Sequence, residues 1–346
     1  MTGQDGRGSA VAGRLRCARA RVLPALLGAL ALTAGASALG RNLNASQLPP
    51  AGAPGAPVVA QAPALGGPVV TAVAAGDIAC DPAAPDFHGG QGSATVCHQA
   101  ATAEMIAALH PDAVLALGDN QYEDGALAKF MASYDATWGR FRAITRPIVG
   151  NHEYLTPDAA GYFAYFGAAA GDPDKGYYSY DLGAWHVVAL NSECSHVGGC
   201  GRGSPQERWL RADLAAHPSR CTLAYWHEPR YASGPEWDNA NTTALWQALY
   251  DNGAELVLSG HAHDYERFAP QDAHWNLDPA RGVVQLVVGT GGANHTPIGY
   301  VRPNSLVHDD VAFGVLLLTL EPDGYTWRFV PEPGQTFTDG GSARCH

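Results

Sequence analysis

Five apolar runs in this chain end in side chains that can bind a metal ion or move a proton. AAGD closes on Asp77, LALGDNQY on Asp119 and Tyr122, and PIVGNHE on Asn151 and His152. LAYWHE closes on His227, and LVLSGHAH on His261 and His263. Taken singly these are ordinary: Gly-Asp after a strand makes a turn, asparagine caps, and a strand histidine is hydrogen-bonded in a core. Five such endings point to one shared site, because open α/β sheets place ligand groups at the carboxyl ends of their strands.

The residue types suit two metal ions. Cations roughly 3.5 to 4 Å apart need a bridging anion, which a strand-end carboxylate such as Asp119 can supply. Oxygen, imidazole and amide donors complete each ion without thiolate. His261 and His263 are two positions apart and would face opposite ways on a strand, so they must lie where the strand becomes a loop; Gly260 permits that bend. Other hydrolytic signatures are missing: there is no G-x-S-x-G, no GK[ST] and no H-E-x-x-H.

The ordered set GD, GDxxY, GNHE, strand-terminal His-x-Pro and GHxH resembles the calcineurin-like metallophosphoesterases, and Tyr122 makes it most similar to their purple acid phosphatase branch. Most dimetal members carry Asp-x-His in the first motif, where this chain has Ala79 in Gly76-Asp77-Ile78-Ala79. In the purple branch the tyrosine of GDxxY replaces that histidine, and both halves of the exchange occur here. The resemblance covers residues 69 to 346. It implies an α/β fold of two packed mixed β-sheets flanked by helices, a four-layer αββα sandwich.

Position by position, the resemblance puts Asp77, Tyr122 and His263 on a first metal and Asn151, His227 and His261 on a second, with Asp119 between them. His152 would sit beside the phosphate as an electrostatic or proton-donating group. The implied cofactors are Fe3+ and a divalent ion (Zn2+, Mn2+ or Fe2+), since phenolate is a hard ligand suited to trivalent iron. Two carboxylates and one phenolate then leave a net +2, or +1 with two divalent ions, which favours a phosphate ester. The implied reaction is hydrolysis of phosphate monoesters by direct attack of a metal-bound hydroxide. A phosphodiesterase or nucleotide hydrolase with the same core is the alternative, governed by the loops at 80–97 and 192–204. A non-catalytic module binding phosphate ligands is the third reading.

The chain departs from the branch after its fourth-motif histidine. HEPRYASGPEWDN holds no histidine beyond His227, which leaves Glu228, Glu236, His196 and His295 as candidates for the leaving-group acid. Arg230 is a candidate for a phosphate oxygen. GTGGANH (289–295) resembles a loop near such sites, and YERF after GHAHD is expected to pack near it.

The elements expected to carry these residues alternate. VVTAVAAGD, AVLALGDN and RPIVGNHE read as strands, separated by helices over ATAEMIAALH and ALAKFMASYDATWGRF. GYYSYDLG and AWHVVALNSE read as antiparallel strands turning around Asp181 and Gly183. Ser204-Pro205-Gln206-Glu207 opens a capped helix. TLAYWHEP and AELVLSGHAH follow as strands, with a helix around NTTALWQALYDNG between them. VVQLVVGTGG, VAFGVLLLTLEPDG and YTWRFVPE close the chain as strands.

The N-terminal residues contain Arg7, Arg14, Arg16, Arg19 and Arg21, then an apolar Ala/Leu run and the small-x-small pattern Ala36-Ser37-Ala38. This predicts a signal peptide over 1–38, cleaved for export to a secreted or extracytoplasmic location with no stable membrane insertion afterwards. Residues 39–68 read as an Ala/Pro-rich linker. Removing residues 1–38 takes five arginines and one aspartate from totals of 21 basic and 33 acidic residues, leaving 16 against 32, a formal charge of −16. Such a field repels polyanions and excludes extended nucleic-acid binding, while a small phosphate-ester substrate can still reach a cationic centre. Of seven cysteines, Cys17 falls in the leader. The other six predict three disulfides; sequence order favours Cys80 with Cys97, Cys194 with Cys200 and Cys221 with Cys345, one choice among about 15 pairings.

Overall fold

A computed structural model of the chain describes residues 67–234 and 238–346. The expected leader and all but the last two residues of the expected linker lie outside the described residues. Among the described residues, thirteen strands form two mixed sheets. The first has the order β13-β12-β11-β1-β2-β3 and the second β10-β8-β9-β7-β6-β5-β4.

The first sheet is built around β1 (Val70–Ala75), parallel to β2 (Ala113–Ala116), which is in turn parallel to β3 (Thr145–Pro147). Both β1 and β2 are apolar on consecutive residues because helices or the opposite sheet cover both faces. On the other side of β1, β11 (Gly314–Glu321) runs antiparallel, followed by β12 (Gly324–Pro331) and β13 (Gly340–Arg344). In the second sheet β5 (Trp185–Ala189), β6 (Cys221–Tyr225), β7 (Leu256–Ser259) and β9 (Val284–Val288) are parallel neighbours. Antiparallel β4 (Tyr178–Leu182) closes one edge, and β8 (Tyr265–Phe268) with β10 (Ser305–Asp309) the other.

The sheets pack through one continuous apolar core. Trp185 of β5 meets Tyr325 of β12 edge-on and donates its indole N–H to the Glu321 carbonyl at 2.8 Å. Tyr225 of β6 donates its hydroxyl to the Arg146 carbonyl of β3 at 3.1 Å. The disulfide Cys221–Cys345 ties β6 to the residue following β13, and Cys80–Cys97 and Cys194–Cys200 complete the set favoured by sequence order. Among the described residues no helix is long and apolar enough to cross a membrane.

Helices α1 (Gln99–Leu109), α4 (Pro205–Ala216) and α5 (Thr243–Asp251) connect parallel neighbours, and α3 (Ala160–Phe166) lies on the crossing from the first sheet to the second. At α4 the Ser204 hydroxyl accepts the Glu207 N–H at 3.3 Å, as the capping box requires. The Glu207 carboxylate turns back to the Gly203 amide instead of the expected Ser204 amide. The helix expected over residues 126–141 is broken into α2 (Leu127–Lys129), a wide turn at Phe130–Tyr134 and a tighter one at Trp138–Ile144. Thr137 leaves helical angles (φ −117°, ψ −90°), and its hydroxyl bonds the carbonyls of Ser133 and Tyr134, competing with the helical ladder. Phe130, Tyr134 and Trp138 are nevertheless all fully buried.

Candidate metal centre

The parallel strands of both sheets end on one cleft, and the chain turns sharply there. Asp77, Asp119 and His261 follow β1, β2 and β7 with φ of +59°, +45° and +68°. Left-handed backbone is costly for residues with a side chain, and it persists where surrounding structure dictates it. Each of these residues follows a glycine. A Cβ on Gly118 would lie 2.5 Å from His227 Nδ1, and one on Gly260 would lie 2.7 Å from Asp77 Oδ2. The glycines of GD and GH are therefore required by close approach to the functional side chains themselves.

The structure brings all seven expected ligands together in two overlapping groups. In the first, the Tyr122 hydroxyl lies 2.9 Å from Asp77 Oδ1, 3.1 Å from Asp119 Oδ2 and 2.9 Å from His263 Nε2. His263 Nε2 is 3.2 Å from Asp77 Oδ1. In the second, Asn151 Oδ1 lies 3.1 Å from His227 Nε2 and 3.0 Å from His261 Nδ1, and His227 Nε2 is 3.3 Å from Asp119 Oδ2. Asp119, His227 and His261 offer donors that all lie within 4.8 Å of one another. Asp119 Oδ2 is the atom common to both groups.

These spacings suit cations. Neighbouring ligands at about 2.0–2.2 Å from one octahedral ion sit roughly 3 Å apart, which is the separation found here. The donor atoms are mostly acceptors or lone-pair nitrogens, and only shared protons hold them together without an ion. Burial and the carboxylates of Asp119 and Asp77 push the Tyr122 hydroxyl well above the usual phenol range. Burial opposes charge on both Asp119 and His227. Their mutual attraction nevertheless holds Asp119 below the usual carboxylate range and His227 above the usual imidazole range. His261, buried and beside His227, is held down at about 4 and so stays neutral. A cation placed among these groups displaces the shared protons and reverses the bias at Tyr122 and His227.

The far side of each ligand is fixed. His227 Nδ1 meets the Leu117 carbonyl at 2.9 Å, and His263 Nδ1 meets Asn294 Oδ1 at 3.0 Å. Such partners select the tautomer that presents the other nitrogen. Asp77 Oδ2 accepts the His261 amide at 2.8 Å, and Asp119 Oδ1 the His152 amide at 2.9 Å.

Glu153, the last residue of GNHE, was given no role from the sequence, yet it organises two loops. It is fully buried and accepts the amides of Asn120 (2.8 Å) and Gln121 (3.1 Å) with Oε1 and that of Gly150 (2.8 Å) with Oε2. The GDNQY and GNHE loops are thereby held on one carboxylate. Burial and the Asp119 charge push its pKa up to about 8 against those amide bonds. Asn294, within GTGGANH, was likewise unassigned.

His152 packs its ring against Tyr122 (centroids 4.4 Å apart), with Nε2 3.9 Å from Asp119 Oδ2. Its side chain is 25% exposed, more than the 13% of His263. Beside it opens a cavity of about 250 Å3, lined by Tyr122, Glu123, Asn294 and the loop closed by Cys80–Cys97. A larger hollow of about 920 Å3 lies elsewhere, between the Cys194–Cys200 loop and helices α4 and α5, and contains none of the seven ligands.

The other sequence candidates are occupied. Arg230 donates to the Ala273 carbonyl at 3.0 Å and lies over the Tyr231 ring. His196 stacks on Tyr154 at 3.9 Å. His295 Nδ1 meets the His263 carbonyl at 3.0 Å, and its ring packs on Phe313. Glu228 accepts from the Asn239 side chain, and Glu236 lies outside the described residues. Glu193, which the sequence did not single out, is pushed up to about 8 by burial and the neighbouring Glu228 carboxylate.

A model of the calcineurin-like phosphoesterase family matches residues 76–265. The chain is 29% identical over 219 residues to "Purple acid phosphatase 15" of Arabidopsis thaliana, covering 53% of this chain and 40% of that protein. It is 29% identical over 234 residues to "Acid phosphatase type 7" of Homo sapiens, covering 57% of this chain and 52% of that protein. It thus spans about half or less of these curated relatives. The structure of purple acid phosphatase PPD1 from yellow lupin (Lupinus luteus) seeds shares the fold, with a TM-score of 0.64 at 18% identity over 80% of this chain and 54% of that one.

Proposed function

Because this chain belongs to the calcineurin-like phosphoesterase family, we propose that it is an exported dimetal hydrolase of phosphate monoesters, of the purple acid phosphatase type. The observation that carries this reading is the convergence of seven strand-end donors in which Tyr122 joins Asp77 and His263 while residue 79 is a buried alanine. The donors fit two ions: Asp77, Tyr122 and His263 would hold one, Asn151, His227 and His261 the other, and Asp119 both. A phenolate and two carboxylates around one position favour Fe3+, and the imidazole and amide set favours a divalent ion such as Zn2+, Mn2+ or Fe2+.

When bound, the ions supply the positive charge and Lewis acidity that attack of water on a phosphate ester requires. The chain does the rest. Asp119 keeps the two positions at a fixed separation, and its Oδ1 sets the His152 amide. His152 Nδ1 donates to the Glu123 carbonyl at 2.5 Å, so Nε2 gives a proton to a phosphoryl oxygen or to the departing ester oxygen as the second N–H of an imidazolium. Asn294 and the Leu117 carbonyl hold His263 and His227 in the tautomers that face inward. Glu153 keeps both loops in register before substrate arrives, which is how a preorganised site avoids reorganisation during reaction.

The cavity beside Tyr122, about 250 Å3 and bounded by the 80–97 loop, offers space for the ester group of a small substrate. Three disulfides support maturation in an oxidising compartment.

The test is the ratio of kcat/KM for an aryl phosphate monoester over the matching diester, using protein supplied with iron and zinc or manganese. A ratio well above one is expected. A ratio below one would move the assignment to a phosphodiesterase, and no turnover of either would overturn the catalytic reading.

A further inference from the structure

We propose that His186, Asp213 and His217 form a separate metal site for one divalent cation of the zinc kind, which pins the edge hairpin of the second sheet to the end of α4. One ring nitrogen of each histidine and one Asp213 oxygen lie within 4.8 Å of one another. His186 Nε2 is 2.8 Å from Asp213 Oδ2, and His217 Nδ1 is 3.4 Å from Asp213 Oδ1. The two imidazoles lie side by side, 17° from parallel with centroids 4.8 Å apart. His217 Nδ1 also meets the Asp213 backbone carbonyl at 3.0 Å. Donors on one ion with bonds of about 2.0–2.1 Å stand roughly 3.3 Å apart, so the exposed His217 closes the set by turning from that carbonyl to present a ring nitrogen.

Outer partners are already in place. His186 is nearly fully buried, and its Nδ1 lies 3.2 Å from Asp181 Oδ1, the carboxylate–histidine arrangement that orients a metal-binding imidazole. Ser179 Oγ donates to Asp213 Oδ1 at 2.7 Å, which fixes the carboxylate. A cavity of about 370 Å3 lined by Asp181, His186, His217 and Ser219 leaves room for water to complete the coordination. Two imidazoles and a carboxylate are a donor set for Zn2+, Ni2+ or Co2+ more than for Mg2+ or Ca2+.

The site is remote from the dimetal centre. His186 stands opposite Thr222 on β6, five residues before His227, so at ~3.3 Å per residue the two lie roughly 16 Å apart along the strand. It joins β5 to the C-terminal end of α4, with the edge strand β4 supplying Asp181 and Ser179. Its role is therefore structural, and it is independent of the reaction proposed above.

The test is equilibrium dialysis of the metal-loaded protein against micromolar Zn2+, followed by a metal count per chain for wild type, His217→Ala and His217→Gln. Wild type is expected to hold one more zinc than either variant. Zn2+ is expected to raise the thermal midpoint of wild type alone, with aryl phosphate hydrolysis equal in all three. Equal zinc counts in wild type and His217→Ala, or a zinc-induced midpoint shift that survives both substitutions, would overturn the proposal.

Discussion

The amide of Tyr122 donates to the carbonyl of Ala79 at 2.8 Å. The residue that would carry a histidine ligand in most of the superfamily is thus bonded, backbone to backbone, to the residue that brings the phenol. Ala79 is fully buried and pairs with the GDNQY loop through Gln121 as well. A second backbone bond, from the Ala79 amide to the Asn120 carbonyl at 3.1 Å, completes the pairing of the two loops.

Tyr122→Phe removes the phenol while leaving that backbone bond. Iron-loaded wild type is expected to show a visible charge-transfer band, and the variant to lack it with an unchanged far-ultraviolet spectrum. A band of equal intensity in the variant would exclude iron–phenolate ligation.

Asp119→Asn keeps the shape but removes the negative charge from the group shared by both sets. Loss of an outer partner alone costs about 10–100-fold in metal affinity or activity, so loss of this shared ligand is expected to cost at least about 100-fold in turnover. Metal analysis after dialysis should show fewer than two ions per chain. Full activity with two ions retained would remove Asp119 from the bridging position.

Glu153→Ala leaves three buried amides without an acceptor. At about 1–3 kcal/mol for each unsatisfied group, the loss of stability is expected to reach several kcal/mol in urea unfolding of the metal-free protein. Glu153→Gln should recover part of it through its single carbonyl oxygen. Metal affinity should fall in both, because the loops carrying Asp119 and Asn151 are no longer tied together.

Glu255 gives a pH signature away from the centre. Its Oε2 accepts the Thr222 amide at 2.6 Å, and burial pushes its pKa from 4.5 up to about 7. The folded chain therefore binds the extra proton between those values, and stability falls as pH rises from about 4.5 to about 7. The folded carboxyl is charged above that window, where the cost is full; below it the cost vanishes. Two and a half pKa intervals correspond to roughly 3 kcal/mol. Glu255→Gln is expected to be more stable than wild type at pH 8 by a similar amount and to lose that advantage near pH 4.5. Parallel unfolding curves at both pH values would show that Glu255 does not titrate in this way.

The site was more legible than the frame around it. Strand-end Asp, Asn and His residues announce themselves because metal-competent side chains directly after apolar runs are uncommon in series. Glu153 and Asn294 lay in quoted motifs but could not be assigned, because one acts on amides from two loops and the other on the far nitrogen of a distant histidine. Strands β10 and β13 escaped for a different reason. SLVHD and GGSAR lie at sheet edges and have no fully buried residue, so neither carries the buried apolar alternation that marks a strand. In β8 the buried Glu266, which accepts the Ser233 amide at 2.7 Å, disguises a strand as a polar loop.

The position of β1 has a kinetic consequence. Its antiparallel neighbour pairs Val70 with Leu320, 250 residues later in the chain. At about 5–20 residues per second of synthesis, one edge of an apolar strand waits roughly 12–50 s for its partner. Contacts this distant in sequence make folding slow and leave intermediates prone to association. Asp77, at the end of that strand, meets His261 and His263 only after most of the chain exists. The metal-binding geometry is therefore a late product of folding, and metal capture serves as a report that strand ends of the two sheets have met.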